Sequence, residues 1–553
     1  MTGILGDANS GGHFAPGLKW AGFDHVVFQG KADHPVYLWI DDDKVEIRKA
    51  EHLWGKNTWE TEHIIKEELG DPMVEIASIG PAGENLVRFA CVMNDLYRAA
   101  GRTGMGAVMG SKNLKAVAVR GSKGVKVADV KGYKTFCKEF LERLLKNPYY
   151  SMTSTYGTPD ITVPANVYGM LGVRNGRQTG EFEGIDEISH ETLKKKYFKQ
   201  SRACFGCPIH CAHWFEIKEG PYAGETGVGV EYGCVGAWGP LCGNSYAPVF
   251  FRANNLCNQY GLDVINCGEL VAVAIDWFES GLISEKDTEG ISLTWGNHES
   301  MIKILHKIAK KEGFGAVLAE GPVRAAKIVG KGAENFISHA KGHQYSIDDA
   351  RAFRGFELNN ALSTRGADHL RGLPPSEWMG LTPAEAEELV GSAKAADPLT
   401  YEGKAVAVQF AQRICTLADS LEVCKFCTKW LASEMGFKDM ATFFSLATGV
   451  AKDEKEMKDA ADRIYITERA FLVREGITRK DDTLVGRAKN EPKPNGPYKG
   501  VKHDQKKWDK MLDEYYDLAG WDKDGIPTRS KLEELGLKDI AIELEKNTSK
   551  AHE

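Results

Sequence analysis

The chain has 553 residues, 27% of them charged, and a formal net charge of −7, which leaves no basic footprint for nucleic acid. Its mean hydropathy is −0.34, no apolar run reaches bilayer-spanning length, and the opening Met1-Thr-Gly-Ile-Leu-Gly-Asp7 lacks the basic and apolar parts of a secretory signal. The 12 cysteines are therefore expected to be reduced thiols or metal ligands in a cytoplasmic protein of enzyme size, long enough for about two to four domains.

Residues 1–122 predict an antiparallel sheet. Short β-branched or aromatic runs at 25–30, 35–40, 44–47, 75–80 and 114–119 are separated by turn residues, with Asp41-Asp42-Asp43 as a hairpin turn. Helices are expected over 58–68 and 85–100. From 123 the pattern changes. Apolar residues at three- and four-residue intervals predict helices over 131–146, 249–260, 267–280, 300–312 and 317–329. Further helices are expected over 383–395, 401–415, 453–474 and 504–519. The fold class is α+β, with a β domain at 1–122 and two mostly helical domains at 123–340 and 341–553. The 59 glycines gather in short clusters, such as Asn9-Ser-Gly11-Gly12, Gly101–Gly106 and Gly227–Gly229. Such clusters fit main chain closing on a large ligand, and also fit ordinary turns.

The chemistry concentrates at Cys204-Phe-Gly-Cys207-Pro-Ile-His-Cys211, a C-x2-C-x3-C knot. Thiolates this close hold an iron–sulfur cluster, hold zinc, or pack as buried thiols. A [4Fe–4S] cluster needs only one further thiolate from anywhere in the fold. Cys424 and Cys427 are the best sources, because they follow the acidic Asp419 at a helix end. A zinc site built from the pairs Cys204/Cys207 and Cys424/Cys427 is the alternative, and it leaves Cys211 without a role.

These motifs, taken in order, resemble the tungsten-containing aldehyde:ferredoxin oxidoreductase family. The matching stretches are Asp7–Gly12, Gly101–Lys112, the cysteine knot, Tyr260–Asp263, Ser363–Arg371 and Asp419–Cys424. The resemblance implies a tungsten (molybdenum possible) bis-pterin cofactor beside a [4Fe–4S] cluster, with the first domain as a saddle beneath the cofactor. It makes Cys204, Cys207, Cys211 and Cys424 the cluster ligands. Asn9, Gly11, Arg102, Thr103, Gly104 and Gly106 correspond to saddle contacts, and Arg365 and Arg371 to holders of cofactor phosphates. Two family motifs, D-x-x-G-L-D/C, bring acids to the pterin rings, where a carboxylate accepts paired N–H bonds. Here they read Asn258-Gln-Tyr-Gly261-Leu262-Asp263 and Asp419-Ser-Leu-Glu422-Val423-Cys424, followed by Lys425. Asparagine has replaced the first acid, and glutamate and valine the second glycine and leucine, so the backbone at Glu422 is expected to differ.

The same resemblance places Glu231 and His369 beside the metal as proton carriers, with burial expected to bring their pKa values towards neutrality. The implied reaction oxidises an aldehyde to the carboxylic acid, with ferredoxin or an iron–sulfur subunit as electron acceptor. Two alternatives remain: a tungsten subunit of a complex reducing acyl-CoA or carboxylic acids, and a truncated iron–sulfur protein without pterin. A homo-oligomer or membership of a complex is expected. Compared with the family, the N-terminal part of the saddle domain is expected to be missing, and Arg252 stands where some relatives carry a metal-ligating glutamate at a dimer interface. Cys234, Cys242, Cys257 and Cys267 are expected to be small buried hydrophobes.

Overall fold

The computed structural model describes residues 2–431 and 433–550. Its first region is a six-stranded sheet in the order β2-β1-β6-β3-β4-β5. The strands are β1 (Val36–Asp41), β2 (Lys44–Lys49), β3 (Glu75–Ser78), β4 (Val92–Asn94), β5 (Arg98–Ala100) and β6 (Leu114–Arg120). Alternation along β1 sends side chains to both faces. Tyr37 and Trp39 pack with Ile76, Ala116 and Ala118 under helix α2 (Thr58–Leu69), against Ile65. Leu38 and Ile40 pack with Val117 and Val119 under α1 (Phe14–Trp20). Both faces are thus covered, and β1 is buried from Val36 to Ile40. Helix α2 starts on a reciprocal capping box between Asn57 and Glu60 and stops at Gly70, which takes the left-handed φ of 65°.

Three expectations are corrected in the N-terminal region and one beyond it. The sheet is mixed, because β1 and β6 run parallel; the long connection through β2–β5 returns the chain in its original direction. Residues 25–30 form no strand. Residues 85–100 are not a helix: they contain β4 and β5, joined by a hairpin turn in which Asp95 and Leu96 take φ of 51° and 65°. Three-residue strands are too short to show a two-residue period. Two short helices follow in this region's numbering, α3 (Pro81–Glu84) and α4 (Met105–Ser111). Residues 317–329 split into helices Gly313–Ala319 and Pro322–Val329, because Gly321 takes φ 82° and Pro322 opens the second helix.

The rest of the chain is mainly helical, consistent with the α+β class. Its centre is helix Val264–Glu279, where Leu270, Val271, Val273, Ile275 and Trp277 are all fully buried. A helix apolar on every side belongs inside a core, and this one is packed among Trp238, Phe250 and Phe251. The N-terminal sheet docks on the turn before it. Cys91 N donates to Gly261 O (2.7 Å), Asp263 N donates to Phe89 O (3.0 Å), and Ala90 bridges Leu262. Among the described residues, no helix is long and apolar enough to cross a membrane.

Candidate cofactor and metal site

The loop before α1 lies against the β4–β5 hairpin and the loop entering α4. Asn94 Nδ2 donates to Ser10 Oγ (2.8 Å), His13 contacts Asp95 (2.8 Å), and Thr103 Oγ1 donates to the carbonyl of Asp7 (3.0 Å). Asp7 is thus held at Thr103 and Gly11 lies against Cys204 and Arg98, whereas Asn9 is exposed. Thr103 and Gly104 both adopt positive φ, 70° and 86°. A Cβ on Gly104 would overlap the carbonyl of Arg88, and one on Gly106 the carbonyl of Cys91. Both glycines thus allow α4 to press onto the chain before β4.

Buried charges from the distant helical regions converge on this floor. Asp368 faces Arg365 (2.7 Å) and Arg102 (3.2 Å), and it is completely buried. Burial alone would raise its pKa, but the Arg365 and Arg102 guanidinium groups outweigh it and hold the carboxyl far below the carboxylate range. Arg365 also reaches the Asp7 carbonyl (3.1 Å). Arg371 contacts Glu468 (2.5 Å), Asp419 (3.2 Å) and Asp7 (3.4 Å), while Lys425 pairs with Asp419. Arg102 bonds His343 Nε2 (2.7 Å from Nη2) and the Gln344 carbonyl (3.2 Å). Both arginines expected at phosphates, Arg365 and Arg371, therefore have carboxylate partners of their own.

The two D-x-x-G-L-D/C turns have the same backbone. Leu262 N donates to Cys257 O (2.8 Å), and Val423 N donates to Ala418 O (2.9 Å), the long C-cap bond of a helix end. Gly261 takes φ 70° and Glu422 takes φ 57°. Glu422 thus adopts the glycine conformation, contrary to the expected difference at this position. Asp263 caps helix Val264–Glu279 by accepting from Ile265 N (3.0 Å) and Asn266 N (3.2 Å), and it also pairs with the Asn266 side chain. Asn258 is buried at the preceding helix end, where its carbonyl accepts from Thr58 Oγ1 (2.8 Å).

The knot and the Cys424 segment come together from two regions: Cys207, Cys211 and Val423 pack against one apolar cluster that contains Ile209 and Cys427. A Cβ on Gly11 would meet Cys204 Sγ at 2.6 Å, so the knot abuts the floor. Cys427 N donates to the Cys424 carbonyl (3.0 Å). All twelve cysteines are free thiols, and Cys234, Cys242, Cys257 and Cys267 are buried as expected. Among the described residues, no three His, Cys, Asp or Glu side chains lie close enough to grip a bare metal ion.

Glu231 stands at the N-terminus of helix Tyr232–Trp238, and its Oε2 accepts from Thr158 Oγ1 (2.6 Å). Asp160, two residues on, is pushed up to about 7 by burial and by the Glu231 charge. Burial moves His369 down to about 4, against the opposing pull of Asp368. The imidazole is therefore neutral at pH 7, below the range expected for it. Arg98, Thr158, Asp160 and Glu269 are the residues that sequence patterns did not single out. Glu269 was concealed in an apolar helix; both its oxygens are buried without a partner, and burial pushes its pKa well up.

It is not alone. Asp7 Oδ1, Arg98 Nε and Nη2, Arg102 Nη1, Asn266 Oδ1, Gln344 Oε1 and His369 Nδ1 are also buried and unpartnered. A lost partner costs about 1–3 kcal/mol for each such group. Donors and acceptors in this number, drawn from every region onto one floor, fit a large ligand that is both anionic and edged with N–H groups.

Fold and site together set a floor of buried, unpartnered polar groups between a small sheet and helical regions. The family models for the aldehyde ferredoxin oxidoreductase N-terminal domain and for its domains 2 and 3 match residues 1–121 and 135–537. The chain belongs to the aldehyde ferredoxin oxidoreductase family. It is 40% identical to the tungsten-containing aldehyde ferredoxin oxidoreductase of Pyrococcus abyssi, over 98% of this chain and 86% of that protein. It is 30% identical to the aliphatic sulfonate oxidoreductase WOR-like subunit of Pyrococcus furiosus, over 96% of this chain and 82% of that protein. Among solved structures it is similar to the active-site complex BamBC of benzoyl coenzyme A reductase, with TM-score 0.83 and 26% identity over 98% of this chain and 85% of that one. The expected loss of part of the saddle domain finds no support in the N-terminal-domain match.

Proposed function

We propose that the chain is a tungsten (or molybdenum) bis-pterin, iron–sulfur enzyme that oxidises aldehydes to carboxylic acids and delivers the electrons to ferredoxin or an iron–sulfur subunit. The observation that carries this reading is the ring of unpartnered buried polar atoms around Arg102, Asp7 and Glu269, with the cysteine knot at its edge. Arg102, Arg365 and Arg371 would hold the cofactor phosphates, and the main chain at Asn9, Gly11, Thr103, Gly104 and Gly106 would lie beneath its rings. The turns Asn258-Leu262-Asp263 and Asp419-Val423-Lys425 would face the two pterins, and Cys204, Cys207, Cys211 and Cys424 would bind the cluster. When bound, the metal cofactor supplies the two-electron oxidation and the cluster a one-electron exit.

The chain's own groups handle position and protons. Thr158 fixes the orientation of the Glu231 carboxylate, which removes a proton at Oε1 or Oε2 from the water that becomes the second acid oxygen. His369, neutral and with Nδ1 free, accepts the next proton. Asp160 shares the environment of Glu231 and accommodates its proton near pH 7. Metal analysis of anaerobically purified protein tests the reading. Tungsten or molybdenum together with iron is expected, with viologen reduction by short or aromatic aldehydes. Iron without either heavy metal defeats it. The likeness to BamBC favours a second reading, reduction of acyl-CoA or carboxylic acids within a complex; turnover of acyl-CoA in place of aldehydes would establish it.

A further inference from the structure

Arg98 opens β5, stacked over the Tyr97 ring at 4.9 Å. Its Nε and Nη2 are buried and have no hydrogen-bond partner. A Cβ on Gly11 would lie 2.6 Å from Cys204 Sγ and 3.8 Å from Arg98 Cδ, so the thiol and the arginine stem flank one glycine. A guanidinium removed from water is costly unless an anion faces it. Neutral thiols offer no such charge, whereas a thiolate-ligated cluster does.

We infer that Arg98 is the positioning cation of the iron–sulfur site, directing its free N–H groups at the Cys204 side of the cluster and favouring the reduced state. This rests on the cluster reading above. When bound, the cluster would take up one electron from the substrate-oxidising centre and release it to the external carrier. Arg98 exchanges neither electron nor proton; its fixed charge stabilises the extra negative charge of the reduced form.

The test is an EPR-monitored redox titration of the anaerobically purified holoenzyme, wild type against Arg98→Gln and Arg98→Lys, with iron content measured in each. Arg98→Gln is expected to make electron uptake about tenfold less favourable, a fall of about 59 mV for one electron. Arg98→Lys keeps the charge but loses the planar pair of donors, so it is expected to fall between Gln and wild type. An unchanged potential in either variant with its cluster intact overturns the inference. If Arg98→Gln loses iron, the Lys variant decides by the same criterion. A wild-type protein without a cluster signal overturns the cluster reading itself, and this inference with it.

Discussion

Replacing Asp368 with Asn tests whether the site is held shut by its buried charges. Asp368 is completely buried between Arg365 at 2.7 Å and Arg102 at 3.2 Å, and it accepts from Leu370 N at 2.8 Å. Asparagine keeps the shape and the Leu370 bond but removes a negative charge shared by both guanidinium groups. Breaking a buried pair from one side costs about 3–5 kcal/mol. The lower end applies here, because Arg102 retains His343 and Arg365 retains Asp7. The half-buried surface pair of Arg120 with Asp71 (2.8 Å) is the control, worth at most about 1 kcal/mol. Urea unfolding followed by tryptophan fluorescence should show a large fall in midpoint for Asp368→Asn at pH 7 and little change for Asp71→Asn. The pH dependence has a definite sign. The folded pKa of Asp368 is depressed, so its contribution is complete above the ordinary carboxylate value and fades as pH falls towards the lower folded value. The variant should therefore lose less stability than wild type on acidification. Equal midpoints for wild type and Asp368→Asn would refute the reasoning.

Glu422→Gly should stabilise the protein by about 0.5–1 kcal/mol: a left-handed L-residue costs about 1–2 kcal/mol, and glycine gives back about half of that in chain entropy. A thermal melt that shifts downward would contradict the φ of 57° found there. Cys424→Ser should abolish the cluster signal and lower the iron content, while Cys427→Ser should keep both; the reverse would exchange their roles. Thr158→Val removes the 2.6 Å bond to Glu231, a charge-assisted contact worth about 1.5–3 kcal/mol. It is expected to lower kcat/KM for aldehyde by about tenfold or more, with Thr158→Ser close to wild type. Equal rates for Val and wild type would remove Thr158 from the mechanism.

Features confined to a short stretch of chain were readable in advance. The cysteine knot, the Arg102–Gly106 loop and the paired turns at Gly261 and Glu422 carry their chemistry in local spacing. Helices with long apolar periods, such as Pro248–Tyr260 and Glu454–Arg474, were found within a few residues. Arg98 was missed because its three-residue strand lay inside a segment that scores as helix. Thr158 and Asp160 matter only because the fold sets them against Glu231, more than seventy residues away. Asp263 illustrates a different limit: a carboxylate expected to face a ligand spends its acceptors on the helix that follows it. No pattern of neighbours distinguishes those two uses.

The grip of Arg365 and Arg371 on Asp7 has a consequence for biogenesis. Those contacts join residues 358 and 364 positions apart. The entropy of ring closure grows only slowly with length, but contacts so distant in sequence come after local helices and hairpins have formed. Until that clasp is made, the polar groups of the floor around Asp7 stay open to water.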